Sequence, residues 1–201
     1  MSSWVKPYHT GGRERAQNDF ASGNTPASIR GSMNCADESK MKESAKAGAR
    51  YRPNVAAILQ DGAGRILICE RFDIPGAWQF PQGGVEPGET HRQALGREMS
   101  EELSLEPDDY EIITQKGPYR YSLGEGRTKN GFHGQEQEYF LLKLTGPESR
   151  IDVATPHREF RSWRWIRPAE FDLRWLLEMK REVYREVLRD FFSVELAGGP
   201  K

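Results

Sequence analysis

The stretch that decides the fold covers residues 83–105 and reads GGVEPGETHRQALGREMSEELSL. Thr90, with Gln93 three residues later, is a capping-box pattern, and it predicts a helix that runs from there to about residue 103. An apolar stripe at four-residue spacing along this helix consists of Leu95, Met99 and Leu103. Such a stripe buries one side of a helix, so we expect this helix to pack against a core.

The same helix carries three acidic residues at positions i, i+3 and i+4, namely Glu98, Glu101 and Glu102. This spacing places their carboxylates on one face, within roughly 5–6 Å of each other. A solvated face is the usual interpretation of a Glu-rich helix. Here the adjacent apolar stripe brings the face next to packed structure. Crowded carboxylates there are tolerable when a divalent cation neutralises them, and hard oxygen ligands suit Mg²⁺, with Mn²⁺ as a substitute.

A glycine-rich segment, residues 81–89, immediately precedes the helix. Most Gly-Gly pairs are explained by turns. A flexible loop that leads into an acidic helix can also bring backbone groups close to a metal or a phosphate chain.

Gly83, Glu89 and residues 97–105 stand at the spacing of the Nudix box, and the segment resembles that family. The resemblance implies an α/β (α+β) fold with a mixed β-sheet sandwiched between helices. It also implies metal ligands at Gly83 and at the three glutamates of the helix, with Glu98 or Glu102 able to act as base. Arg97 would hold a carboxylate in place, and Glu89 would support the loop. Ser104 departs from the pattern, which has a glycine with positive φ at the end of the helix.

Segments outside the box resemble the dinucleoside polyphosphate hydrolase and RNA pyrophosphohydrolase branch. They are residues 51–55, 77–84, 134–142 and 159–165. In that branch an additional glutamate binds metal or activates water, and Glu159 stands at the matching position. Arg71 and Tyr121 match positions around the phosphates and the base, and Gln82 is a further substrate-binding candidate. Without the resemblance, Arg71 would be a surface residue and Tyr121 a core aromatic.

Elsewhere the pattern predicts a hairpin with strands at residues 55–59 and 65–69. Further strands are expected at residues 110–114, 118–122, 138–144 and 160–166, and a last amphipathic helix at residues 172–192. We expect residues 1–49 to be a disordered extension, with a short helix at residues 38–47 as the alternative. The domain then covers residues 50–194, and residues 195–201 form a tail.

The amino-acid composition argues against some classes of binding partner and location. Lys and Arg total 29 against 30 for Asp and Glu, so no overall basic field holds nucleic acid, and DNA is not an expected partner. The only cysteines, Cys35 and Cys69, are far apart in the sequence, which favours a reducing compartment, the cytoplasm. No apolar run approaches the roughly 20 residues of a membrane span. The sequence predicts no particular oligomeric state.

The resemblance implies an Mg²⁺-dependent hydrolase that cuts a phosphoanhydride bond. The expected substrates are dinucleoside polyphosphates such as diadenosine tetraphosphate, or the 5′ end of triphosphorylated RNA. Three alternatives stay open. The first is a Nudix enzyme for ADP-ribose or an oxidised nucleotide, and the second is a non-catalytic nucleotide-binding module. The third is a structural role through the N-terminal segment and the acidic helix.

Overall fold

The computed structural model of the chain describes residues 48–156 and 158–196. The strands in this part are β1 (Tyr51–Gln60), β2 (Ile66–Arg71), β3 (Trp78–Gln79), β4 (Gln82–Gly84), β5 (Tyr110–Ser122), β6 (Gly134–Leu144) and β7 (Phe160–Ile166). The α-helices are α1 (His91–Leu103) and α2 (Arg181–Phe192). The alternative helix at residues 38–47 lies outside the described residues. None of the helices described is long and apolar enough to cross a membrane.

The strands form one mixed sheet in the order β3-β2-β1-β6-β5, to which β4 is added beside β1 and β7 beside β2. The pairing of β1 with β6 is parallel, and the other pairings are antiparallel. One core cluster contains the apolar residues of α1, and a second contains those of α2. The predicted mixed fold with a sheet between helices is confirmed.

Helix α1 begins and ends as its sequence predicts. The Thr90 hydroxyl accepts a hydrogen bond from the Gln93 N–H at 3.3 Å, and the Gln93 Oε1 accepts one from the Thr90 N–H at 2.9 Å. The predicted stripe is buried, because Leu95, Met99 and Leu103 are at most 2% exposed. Ser104 ends the helix with φ 58°, in the left-handed conformation that glycine adopts with less strain.

Three of the predicted elements, two strands and one helix, were wrong in their extent. The strands predicted at residues 110–114 and 118–122 form one strand, β5, with an irregularity between Lys116 and Tyr119. The last α-helix begins at Arg181 instead of residue 172, because the preceding segment forms two separate 3₁₀ turns. There the Asp172 side chain accepts a hydrogen bond from the Arg174 N–H and competes with the helical pattern.

Candidate functional site

The site begins where β4 passes under helix α1. Gly83 pairs with Val55 of the central strand β1, which brings the loop backbone against the helix. A Cβ atom at Gly83 would lie 1.7 Å from Glu98 Oε1, so any side chain here would displace the Glu98 carboxylate. Glycine therefore allows the strand to approach the acidic face while Glu98 keeps its position.

Arg97 holds the loop and the helix together. Its Nε and Nη2 each donate to the Glu89 carboxylate at 3.0 Å, and Nη2 also donates to the Gly84 carbonyl at 2.8 Å. Its Nη1 donates to Glu98 Oε1 at 2.6 Å. A bidentate pair with a carboxylate fixes direction as well as distance. The guanidinium therefore orients Glu98 while Glu89 anchors the end of the loop.

Glu102 is the most deeply buried carboxylate of the helix, at 3% exposure. Its Oε2 accepts a hydrogen bond from the Gln82 N–H at 3.0 Å, whereas its buried Oε1 has no hydrogen-bond partner among the residues that the structure describes. Burial raises the pKa of Glu102 well above its ordinary value of 4.5, and the neighbouring carboxylates of Glu159 and Glu98 raise it further. An unpaired buried carboxylate oxygen is energetically unfavourable, so it points to a missing cationic partner.

Glu98 and Glu101 differ in their surroundings although both lie on the acidic face. Burial raises the pKa of Glu98 to about 7, against the lowering effect of the nearby Arg97. The Glu98 side chain is 13% exposed, while that of Glu101 is 42% exposed and lies 3.5 Å from Arg97 Nη1. Among the three predicted glutamates, exposure to solvent therefore increases from the buried Glu102 to the exposed Glu101.

Glu159 joins this face from a different part of the chain, directly before β7. Its carbonyl accepts a hydrogen bond from the Phe72 N–H at 2.8 Å, which fixes its backbone beside the end of β2. The charge of its carboxylate raises the pKa values of both Glu98 and Glu102. The structure therefore brings the predicted additional glutamate together with the two buried carboxylates of α1.

The predicted substrate residues lie near a cation that the sequence pattern did not indicate, Lys180. The buried Lys180 ammonium donates to Gln82 Oε1 at 3.2 Å and lies 5.8 Å from the centre of the Tyr121 ring. Burial, followed by the charge of Arg71, lowers the pKa of Lys180 to about 7. Arg71 itself donates to Asp73 at 2.8 Å, and Tyr121 is buried at 8% exposure.

Buried polar side chains of the central strands form the floor beneath Gln82. Gln137 Nε2 donates to Asn54 Oδ1 at 2.8 Å and to Gln82 Oε1 at 3.1 Å, and the Tyr139 hydroxyl donates to Gln137 Oε1. Asn54 and Gln137 lie in the polar first parts of their strands, where the sequence does not distinguish them from solvent-exposed residues. Lys180 likewise stands in a charged segment of ordinary helical composition, so no sequence signal indicates any of the three.

The carboxylate oxygens of the site are the type of ligand that a hard divalent cation binds. Between residues 48 and 196, with residue 157 left aside, no three acidic, histidine or cysteine side chains converge into a ready-made metal cluster. The unpartnered Glu102 Oε1 and its carboxylate neighbours nevertheless fit a hard cation. Mg²⁺ characteristically uses one or two carboxylates and completes its shell with water and substrate phosphates.

Comparison with known proteins gives the family. The model of the NUDIX domain matches residues 50–191, more than half of the chain. The chain belongs to the Nudix family. The predicted membership is confirmed, and it makes the acidic helix α1 the Nudix helix of this chain.

Curated relatives match most of this Nudix chain. An RNA pyrophosphohydrolase of Erythrobacter litoralis is 39% identical over 153 residues, which are 72% of this chain and 93% of the relative. An RNA pyrophosphohydrolase of Pseudomonas putida is 41% identical over 146 residues, which are 70% and 91% of the two chains. These relatives support the predicted interpretation of the chain as a pyrophosphohydrolase enzyme.

Solved structures support the fold. The E. coli dihydroneopterin triphosphate pyrophosphohydrolase superposes with a TM-score of 0.53 at 19% identity, covering 71% of this chain and 97% of its own. The C. elegans Ap4A hydrolase, in a binary complex, superposes with a TM-score of 0.50 at 24% identity, covering 71% and 96%.

Proposed function

We propose that this Nudix hydrolase removes pyrophosphate from 5′-triphosphorylated RNA. The observation that carries the proposal is the placement of buried carboxylates and a buried cation on two sides of Gln82. The Gln82 N–H donates to Glu102 Oε2, and its side chain accepts from Lys180. The relatives named RNA pyrophosphohydrolase, which match at about 40% identity over almost their whole length, support this substrate.

Nudix hydrolases generally use divalent metals, and we propose Mg²⁺, with Mn²⁺ as a substitute. Glu98, Glu101 and Glu102 of the helix, Glu159 and the backbone at Gly83 would hold it. When bound, the cation lowers the pKa of water and offsets the negative charge of the phosphates. Glu102 Oε1, which has no hydrogen-bond partner in the described part of the chain, would then gain a cationic partner.

The residues of the chain divide the remaining work. Arg97 keeps the Glu98 carboxylate in one orientation. Glu98, Glu102 or Glu159 accepts the proton of the attacking water, and a carboxylate whose pKa is raised towards 7 is suited to that step at neutral pH. Lys180 and Arg71 face the phosphate chain with positive charge, and Tyr121 or Gln82 contacts the nucleotide end of the substrate.

Dinucleoside polyphosphates such as diadenosine tetraphosphate are the second candidate. The acidic and cationic groups described address a phosphate chain, and such a chain is common to both classes of substrate. An RNA end and a dinucleotide then compete for one site. The two activities are distinguished by their products. RNA releases pyrophosphate and keeps a 5′-monophosphate, whereas diadenosine tetraphosphate yields ATP and AMP.

The test offers both substrates in parallel with Mg²⁺ and compares the wild type with Glu102→Gln. We expect RNA to lose pyrophosphate faster than the dinucleotide is cut, and we expect Glu102→Gln to lower turnover by at least about 100-fold. Circular dichroism of the variant checks that it remains folded. Equal turnover of the variant and the wild type would remove Glu102 from the mechanism. If the enzyme hydrolysed ADP-ribose or an oxidised nucleotide and neither of these two substrates, the proposed RNA substrate would be wrong.

Two cysteines far apart in the sequence favour a cytoplasmic location, which we also propose.

We further propose that residues 50–194 suffice for hydrolysis and that residues 1–49 are an appended segment. A chain that begins at residue 50 should keep the turnover of the full chain. Loss of turnover in a truncated protein that is folded would give the first segment a part in the site.

A further inference from the structure

An exposed aromatic ring lies at the border of the site. Phe72 follows Arg71 at the end of β2, and its side chain is 49% exposed. The Phe72 N–H donates to the carbonyl of Glu159 at 2.8 Å, so the backbone that carries this ring is paired with the backbone of the additional glutamate. Large apolar side chains this exposed are few in the described residues.

Two arginines surround the ring. The guanidinium carbons of Arg158 and Arg161 lie 5.0 Å and 5.7 Å from the Phe72 ring centre, within the range of cation–π contacts. Arg161 also donates from Nη2 to the Phe72 carbonyl at 2.6 Å and from Nε to the Arg71 carbonyl at 3.2 Å. Arg161 therefore fixes the backbone that presents the ring, while Arg158 is exposed beside it.

The same alternation of arginine and aromatic side chains continues along β7. The guanidinium of Arg164 lies 4.1 Å from the Trp78 ring centre and 4.8 Å from that of Trp175. Residues 158–167 contain four arginines and one acidic residue, although the whole chain carries a net charge of only −1. Positive charge is therefore concentrated on β7 and the residues that flank it.

This combination suits single-stranded nucleic acid. Aromatic rings and guanidinium planes stack on bases of any sequence, and the guanidinium charge meets the backbone phosphates. Each ring is flanked by cations, and this clustered positive charge favours a polyanion as the occupant. The nucleotides that follow the 5′ triphosphate must also leave the site across its border, and Phe72 lies on that border.

We propose that Phe72, Arg158 and Arg161 form a stacking platform for the RNA nucleotides that follow the 5′ triphosphate. Arg164, with its two tryptophans, continues the platform along β7. The inference rests on the proposed function, because it assumes that the triphosphate of RNA occupies the carboxylate site. It adds a reason for the enzyme to favour RNA over a free nucleotide, since only a chain of several nucleotides reaches the platform.

The test compares binding of a 5′-triphosphorylated RNA of roughly eight nucleotides with binding of ATP. Affinities are measured by fluorescence anisotropy and competition with Mg²⁺, in the Glu102→Gln background to prevent turnover. We expect Phe72→Ala to weaken RNA binding by about 5- to 100-fold, the range for losing one stacked base, and to change ATP binding by less than about twofold. Phe72→Tyr keeps the ring and should bind RNA as the parent does.

Arg158→Gln should weaken RNA binding in the same selective way and reduce its dependence on salt. The matched control is Ile113→Ala. Ile113 is 51% exposed on β5, at the opposite edge of the sheet, and its loss should leave RNA binding unchanged. Arg161 is not substituted, because it holds the backbone carbonyls of its neighbours.

Two results would overturn the platform. One is an equal loss of RNA and ATP affinity in Phe72→Ala, which would show a general effect on the site. The other is RNA affinity that is unchanged in this variant, or no tighter than ATP affinity in the parent. Turnover in the wild type is measured separately. Absence of turnover overturns the proposed function, while the ratio of the two affinities still decides the inference.

Discussion

Replacing Glu98 with glutamine should make the free energy of unfolding of the metal-free protein depend less on pH. In the folded chain, burial raises the pKa of Glu98 from its ordinary 4.5 to about 7. The folded state therefore keeps a proton that the unfolded state releases, so the free energy of unfolding falls as pH rises from about 4.5 to 7. Glutamine has no such proton, but its Oε1 can still accept the hydrogen bond from Arg97.

The size of the effect follows from the two pKa values. Their difference, at about 1.4 kcal/mol for each pH unit, corresponds to about 3 kcal/mol of unfolding free energy at pH 7. Glu102 acts in the same direction and is present in both proteins. The pKa of Lys180 is lowered from 10.5 to about 7, so its contribution rises between pH 7 and 10.5, outside this window.

The assay is urea unfolding at pH 5, 6 and 7 with a chelator, followed by addition of Mg²⁺. The wild type should lose more stability than Glu98→Gln between pH 5 and 7, and Mg²⁺ should restore more of it in the wild type. Glu101→Gln is the control for removing a carboxylate from the same helix, because the Glu101 side chain is 42% exposed. Identical pH slopes for the wild type and Glu98→Gln would refute the reasoning.

Three further changes test other parts of the site. Gly83→Ala should lower kcat by at least about tenfold, because its methyl group would displace the carboxylate of Glu98, a proposed metal ligand. Gly84→Ala should be milder, because its methyl group would displace the guanidinium end of Arg52, which has no part in the proposed reaction; steady-state kinetics compares the two. Ser104→Gly should stabilise the protein by about 1 kcal/mol in urea unfolding by relieving a positive φ, and no gain would contradict that strain. Lys180→Met should raise KM for RNA by at least about tenfold, because it removes a buried amine near the phosphates; an unchanged KM in the folded variant would exclude the lysine from binding.

Local patterns predicted much of the fold and half of the site. The capping box at Thr90 and the spacing of Glu98 and Glu102 depend on residues within one or two turns of a helix, so they can be read directly. The extents of β5 and α2 could not be read in this way. The break before Arg181 depends on a side chain that satisfies the backbone locally, against an apolar periodicity that continues through it.

The chain's local patterns were enough to indicate the family, the acidic helix and the residue types that we propose to hold a cation. Tertiary structure determines which of those carboxylates is buried, because the burial of Glu102 on helix α1 depends on Gln82, which lies on strand β4. It alone brought Lys180 to Gln79, a contact across 101 residues, and Phe72 to Glu159. Spacing along a helix fixes neighbours within a few residues, whereas desolvation and charge pairing depend on segments that meet only when the chain folds.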